Sequence, residues 1–165
     1  MSPYLFIREY IEMNAPFTAF NGMPIAREFR IFSDCGKLTH FQPYWIPDAI
    51  SKASIDNWKE VLKEQHIITD DEWKPLVDAA NKVTAEIGGH WSVDFCQGKN
   101  GTWYLIDMAV AQRSFKWKPD TFDWNFKSKD EERAEQEAKF RGWIKENKDV
   151  SDEKRASTTM GSRAR

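Results

Sequence analysis

The segment Trp91-Ser92-Val93-Asp94-Phe95-Cys96-Gln97-Gly98-Lys99-Asn100-Gly101-Thr102-Trp103-Tyr104-Leu105-Ile106-Asp107-Met108 reads as two alternating strands around Asn100-Gly101. Asn-Gly between apolar-alternating runs is a strong local signal for a two-residue type I′ hairpin. In that register Lys99 pairs with Thr102, Phe95 with Ile106, Val93 with Met108, and Asp94 with Asp107. One face then carries Trp91, Val93, Phe95, Ile106, Met108 and Val110. The other carries Ser92, Asp94, Cys96, Leu105, Asp107 and Ala109. Directly opposed carboxylates repel. A divalent cation between Asp94 and Asp107 would remove the repulsion, since Mg²⁺ is commonly held by one or two carboxylates plus substrate phosphates. A shared proton would remove it as well. The plainer alternatives are that both side chains point into water, or that a Lys or Arg sits between them.

Outward from this hairpin the order of elements is mixed. Tyr4 to Met13 reads as a strand ended by Asn14-Ala15-Pro16, and Gly22-Met23-Pro24 is a second break. Ile25 to Ser33 and Lys37 to Trp45 read as a hairpin about the turn cluster Asp34-Cys35-Gly36. On the first of these strands Arg27, Phe29 and Ile31 share one face, and Glu28, Arg30 and Phe32 share the other. Pro47-Asp48 opens a helix expected to run to Gln65. Thr69 and Glu72 have the capping-box spacing, an apolar stripe from Trp73 to Ile87 follows, and Gly88 is a helix stop. Lys118 to Lys127 is irregular and aromatic, and Ser128 to Asn147 is a charge-dense helical stretch with Phe140, Trp143 and Ile144 as its large apolar residues. The fold class expected is α+β, an antiparallel sheet with two packed helices and a charged C-terminal helix. Its organisation is a mixed α+β body over residues 1–118, an irregular segment and charged helix over 119–147, and a disordered tail over 148–165.

The chain has 165 residues, a formal net charge of −2, 41% hydrophobic and 30% charged residues, a composition ordinary for a soluble globular domain. No basic patch argues for nucleic acid. No apolar run reaches the roughly 20 residues of a membrane helix, and Met1 to Phe6 does not resemble a signal peptide. Cys35 and Cys96 lack metal-ligand spacing and suit a reducing compartment, so a cytoplasmic location is expected. His40, His66 and His90 are dispersed, which argues against a His-based zinc site. The eight Trp are read as core area.

Four pieces in order resemble the C-terminal half of an ATP-grasp domain, in particular of the phage and bacterial type. Phe6-Ile7-Arg8-Glu9-Tyr10-Ile11 resembles the hinge strand whose backbone holds adenine. Ala26-Arg27-Glu28-Phe29-Arg30-Ile31-Phe32 resembles the strand that follows it beside the nucleotide phosphates. Trp91-Ser92-Val93-Asp94-Phe95 and Trp103-Tyr104-Leu105-Ile106-Asp107-Met108-Ala109 resemble the two strands carrying metal carboxylates, and Gln42-Pro43-Tyr44-Trp45 adds to the likeness.

The resemblance implies an ATP- and Mg²⁺-dependent ligase that joins a carboxylate to an amine or thiol through an acyl phosphate. Asp94 and Asp107 would hold Mg²⁺. Arg27 or Arg30 would clamp phosphate or the oxyanion, where a planar guanidinium gives bidentate contact. Glu9, Tyr10 and Ile11 would offer backbone to adenine, Glu12 would reach the ribose, and Glu28 would orient Arg30 or touch the nucleotide. Arg27 and Arg30 could equally be paired across strands with Glu or Asp, and Arg113 and Lys116 could meet phosphate or stay in solvent. Ala109 stands where the family carries a metal-ligating Asn. The likeness begins at the hinge strand, so the expected partners are nucleotide, an unknown carboxylate substrate, and a second chain supplying the N-terminal half or a homo-oligomer. The alternative is a non-catalytic nucleotide-binding or assembly module. A metal-dependent hydrolase is weaker, because no His or third acid clusters with the pair in sequence.

Overall fold

The computed structural model describes residues 9–142 and Lys145. Strands β1 (Phe17–Ala19), β2 (Met23–Ile25), β3 (Glu28–Asp34) and β4 (Lys37–Pro43) precede helices α1 (Trp58–Gln65) and α2 (Asp70–Ile87), and strands β5 (His90–Gln97) and β6 (Trp103–Val110) follow them. The architecture is α+β with two antiparallel sheets, a β1–β2 ribbon and a four-stranded sheet of order β4-β3-β5-β6. One compact unit runs to Phe126, eight residues beyond position 118, and a second begins at Lys127. In that second unit residues 129–142 form helix α3. Its start is a reciprocal cap between Ser128 and Glu131, and its surface carries the i,i+4 pairs Arg133–Glu137 and Arg141–Glu137. Tyr4 to Arg8, Trp143, Ile144 and the tail expected over 148–165 lie outside the described residues.

Two apolar clusters build the first unit. Helix α2 lays Leu76, Val77 and Ala80 on Ile31, Val93 and Phe95 of the sheet. Its capping box forms as the sequence indicates, with Thr69 and Glu72 bonded reciprocally, and Gly88 ends it at φ 70°. The second cluster gathers Phe17, Ala19 and Ile25 of the ribbon against Ile50, Trp58 and Leu62. Trp124 and Phe126 pack on it, so the irregular aromatic stretch after Lys118 belongs to this core. Each fully buried side chain of this size contributes about 1.5–3 kcal/mol.

Four sequence expectations are corrected. Residues 9–12 are not a strand, and Met13 makes a single bridge to Gly98. Asn14 is taken up by Gln97 and Arg27, and Pro16 has no N–H to continue a ladder. The helix expected from Pro47 to Gln65 breaks into a 3₁₀ turn at Pro47–Ala49 and α1. Ser51 and Ser54 instead bond the ribbon backbone at Phe20 and Thr18, with Lys52 at φ 53°. Strand β2 takes in Met23 and Pro24, which read as a break, and β1 lies where the sequence marks no element.

The fourth correction concerns the Asn100-Gly101 hairpin. Its loop has three residues, Lys99 to Gly101, closed by Gly98 N–H to Thr102 O (2.8 Å) and Gly101 N–H to Gly98 O (2.9 Å). A type I′ turn needs positive φ at both central residues, and within this loop only Gly101 has it, at 81°. The longer loop slips the register by one, so Phe95 faces Leu105 rather than Ile106. A β-bulge between Asp94 and Phe95 then restores it, and Asp94 faces Asp107 after all.

A two-residue turn of the I′ kind joins β3 to β4, with Cys35 at φ 46° and Gly36 at φ 84°. A Cβ on Gly36 would lie 2.9 Å from Ala85 Cβ of α2. Gly36→Ala is expected to destabilise the fold by about 2 kcal/mol, through steric overlap and strained φ together. Urea unfolding checks this, and a loss under ~0.5 kcal/mol would mean that α2 moves aside at little cost.

Candidate functional site: a charged row across the sheet

Alternation along β3 sends Phe29 and Ile31 toward α2 and Glu28 and Arg30 to the opposite face. Pairing on both sides of β3 then sets a row across all four strands: Gln42 beside Arg30, Arg30 beside Asp94, and Asp94 beside Asp107. A second row, about 7 Å along the strands, carries Glu28 beside Cys96 and Cys96 beside Tyr104, with Tyr44 N–H bonded to Glu28 O at 2.9 Å.

The centre of the first row is a fork. Arg30 Nε donates to Asp94 Oδ1 and Nη2 to Oδ2, both at 2.7 Å. Their side chains are 13% and 3% exposed, and the guanidinium carbon lies 4.6 Å from the Tyr44 ring centroid. The bonds to Asp94 raise the pKa of Arg30 further. Gln42, buried beside Arg30, is fixed from the segment after β6: it accepts from Trp117 N–H (3.0 Å) and donates to Phe115 O (3.2 Å). Ser92 and Ser114 join the same segment to β5 with a 2.6 Å bond.

Glu28 is pushed up from the ordinary carboxyl range to about 8, first by burial and then by Asp94, with Arg30 opposing and Asp107 adding. Burial, then Glu28, raises Cys96 to about 12. Burial, then Glu28, also raises Tyr44. Asp107, across from Asp94, is exposed.

Four sequence-selected residues, Glu28, Arg30, Asp94 and Asp107, thus meet on one face. Arg27 does not join them. It forks onto Glu72 of α2 at 2.6 and 3.1 Å, donates to Ile67 O at 2.6 Å, and lies 5.1 Å from the Trp103 ring. That contact pulls Glu72 down to about 2. Glu9, Tyr10, Ile11 and Glu12 line a shallow depression of about 270 Å³ with Lys99, Asn100 and Tyr104. Tyr104 therefore links this segment to the second row. Arg113 is exposed, and the Lys116 ammonium sits 4.6 Å from the Phe32 ring centroid. Tyr44 and Gln42 were not singled out by sequence reasoning as site residues. The signal was their spacing, two apart at the end of β4 and just beyond it, in phase with Arg30.

Among the described residues no group of three or more His, Cys, Asp or Glu is set to hold a metal ion. Asp94 and Asp107 bring two carboxylates onto adjacent strands, with both Asp94 oxygens accepting from Arg30 and Asp107 outside that fork. Comparison with protein-family models, curated proteins and solved structures gives no match.

Asp94→Asn leaves a largely buried guanidinium without its counter-charge and is expected to cost about 3 kcal/mol. Asp107→Asn at the exposed end of the row is expected to stay within about 0.5 kcal/mol. Guanidinium unfolding of the two variants side by side checks the contrast, and equal losses would refute it.

Glu28 has a folded-state pKa above its unfolded value, so folding favours its protonated form. Its contribution is least unfavourable below about pH 4.5 and worsens as pH rises to about 8. Glu28→Gln is therefore expected to raise the melting temperature more at pH 8 than at pH 5. A pH-independent effect would remove Glu28 from this account.

Proposed function

We propose that this face binds Mg-ATP and serves an ATP-grasp type carboxylate–amine or carboxylate–thiol ligation. The carrying observation is the Gln42–Arg30–Asp94–Asp107 row with Glu28 beside it. Its residue types suit an anionic, metal-bound ligand. Asp94 and Asp107 would hold Mg²⁺, which when bound neutralises phosphate charge. Glu28, mostly neutral below about pH 8, presents phosphate or ribose with a hydrogen-bond donor instead of another negative charge. The 9–12 segment beside Tyr104 lies one row from the carboxylates, a place suited to the base while the phosphates extend toward Asp94.

In this chemistry a substrate carboxylate oxygen attacks the γ-phosphorus, ADP leaves, and an acyl phosphate forms. The amine or thiol then attacks the acyl carbon, the C–O bond to phosphate breaks, and inorganic phosphate departs as the nucleophile loses its proton. Arg30 would balance the charge on phosphate or oxyanion. Arg27, engaged by Glu72 on the α2 side, serves to anchor that helix.

Two features favour a second reading, a non-catalytic binding or assembly module. Both oxygens of Asp94 are already taken by Arg30, and Ala109 stands two residues past Asp107.

Thermal unfolding with ATP plus Mg²⁺, against ADP, ATP alone and Mg²⁺ alone, separates the readings. Ligand at ~100 times its dissociation constant adds about 2.7 kcal/mol of stability. The expected outcome is a shift requiring ATP and Mg²⁺ together, lost in Asp107→Asn with the fold intact. Unchanged Mg-ATP affinity in that variant would overturn the metal assignment, and no shift at millimolar ligand would favour the assembly module.

A further inference from the structure

Arg30 closes one side of a second cavity, of about 200 Å³, whose other walls are almost entirely apolar. Tyr44, Trp45, Ile46 and Ala49 come from the chain after β4, and Phe20 and Phe115 come from two other loops. Gln42 stands with Arg30 at the polar side. We propose that this cavity receives the apolar side chain of a small carboxylate, branched aliphatic or single-ring aromatic, whose carboxylate group faces Arg30. The inference rests on the reading of the Arg30–Asp94 face as a carboxylate-activating site and names the class of acid it takes.

Three observations besides the cavity carry it. Phe20 holds φ 58°, a left-handed conformation that Gly or Asn adopts more easily, in the turn between β1 and β2. Its ring lies 6.4 Å from that of Trp45, and both pack on the cluster formed by the ribbon and α1, which fixes this wall of the cavity. Phe115 is 61% exposed although its carbonyl is pinned by the buried Gln42. A fixed backbone that holds a phenyl ring in water at the wall of an apolar cavity leaves apolar surface for a ligand to cover. Finally, the fork to Asp94 uses Nε and Nη2 of Arg30, so Nη1 carries donors outside that pair. The wall is therefore apolar with a guanidinium at one side, the usual division of a small-molecule site into shape and orientation.

The test is binding of phenylacetate and 4-methylpentanoate to the full chain by ligand-observed NMR and calorimetry, with acetate and succinate as controls. Each is measured with and without Mg²⁺ and a non-hydrolysable ATP analogue. Phenylacetate or 4-methylpentanoate is expected to bind at least about tenfold tighter than acetate. Ala49→Leu, which fills the cavity, should weaken that binding about tenfold and leave the nucleotide-dependent melting shift unchanged. Phe115→Ser, at an exposed position that threatens the fold less, should weaken it in the same direction. No preference over acetate and succinate in either condition would overturn the inference, as would unchanged binding in both variants. Apolar-acid binding that survives while Mg-ATP fails to bind would keep the cavity assignment and remove the ligase reading instead.

Discussion

Arg30 lies across Asp94 with both bonds at 2.7 Å, and little of either side chain reaches water. Such a pair holds only when each charge keeps its partner, because desolvation of either ion alone outweighs what the fold can return. Much of the sheet's polar face follows from it. With the Asp94 charge engaged, Asp107 can stand opposite and Glu28 diagonal to it without three bare carboxylates repelling at close range. The residual repulsion, added to burial, surfaces in the raised pKa of Glu28. Tyr44 under the guanidinium and Gln42 beside it complete a site whose geometry is set by sheet pairing, with no long loop needed to bring its charged members together.

Arg27, the residue just before β3, supplies the hold on α2. Arg27 and Arg30 are three residues apart, an odd spacing, so their side chains leave the chain on opposite faces. Arg27 meets Glu72, which already closes the cap of α2 through Thr69. One arginine thus ties the helix to the sheet and the other organises the charged row. A helix that stays in place on one face keeps the row flat on the other, and the segment after β6 locks the row's edge through Gln42 and Ser92.

Much of this was readable in the chain. The facing of Asp94 and Asp107, the division of β3 into two faces, the capping box at Thr69 and the stop at Gly88 are local patterns with local causes, and each is found in place. The hairpin shows how a correct pairing can come from an incorrect turn. Asn100-Gly101 suggested a two-residue loop, the loop took three residues, and a bulge near Asp94 cancelled the slip. Neither the added residue nor the bulge has a sequence mark, because both depend on how β5 settles between β3 and β6. The helix expected from Pro47 failed for a related reason. Ser51 and Ser54 found backbone partners on a ribbon whose second strand includes the break residues Met23 and Pro24.

By itself the sequence determined an α+β chain with Glu28, Arg30, Asp94 and Asp107 available on strand faces, since alternation and cap chemistry act over a few residues. Tertiary structure alone decided which arginine meets which acid. Arg27 and Arg30 sit in nearly identical Arg-Glu-Phe-Arg surroundings, and only the packing of α2 on one face and β5 on the flank gives the first to Glu72 and the second to Asp94. The apolar cavity beside Arg30 is of the same kind, because Phe20, Trp45 and Phe115 are far apart in the chain and meet only once both clusters have closed. Long-range charge pairing and cavity shape depend on where whole elements come to rest, and no local pattern encodes that.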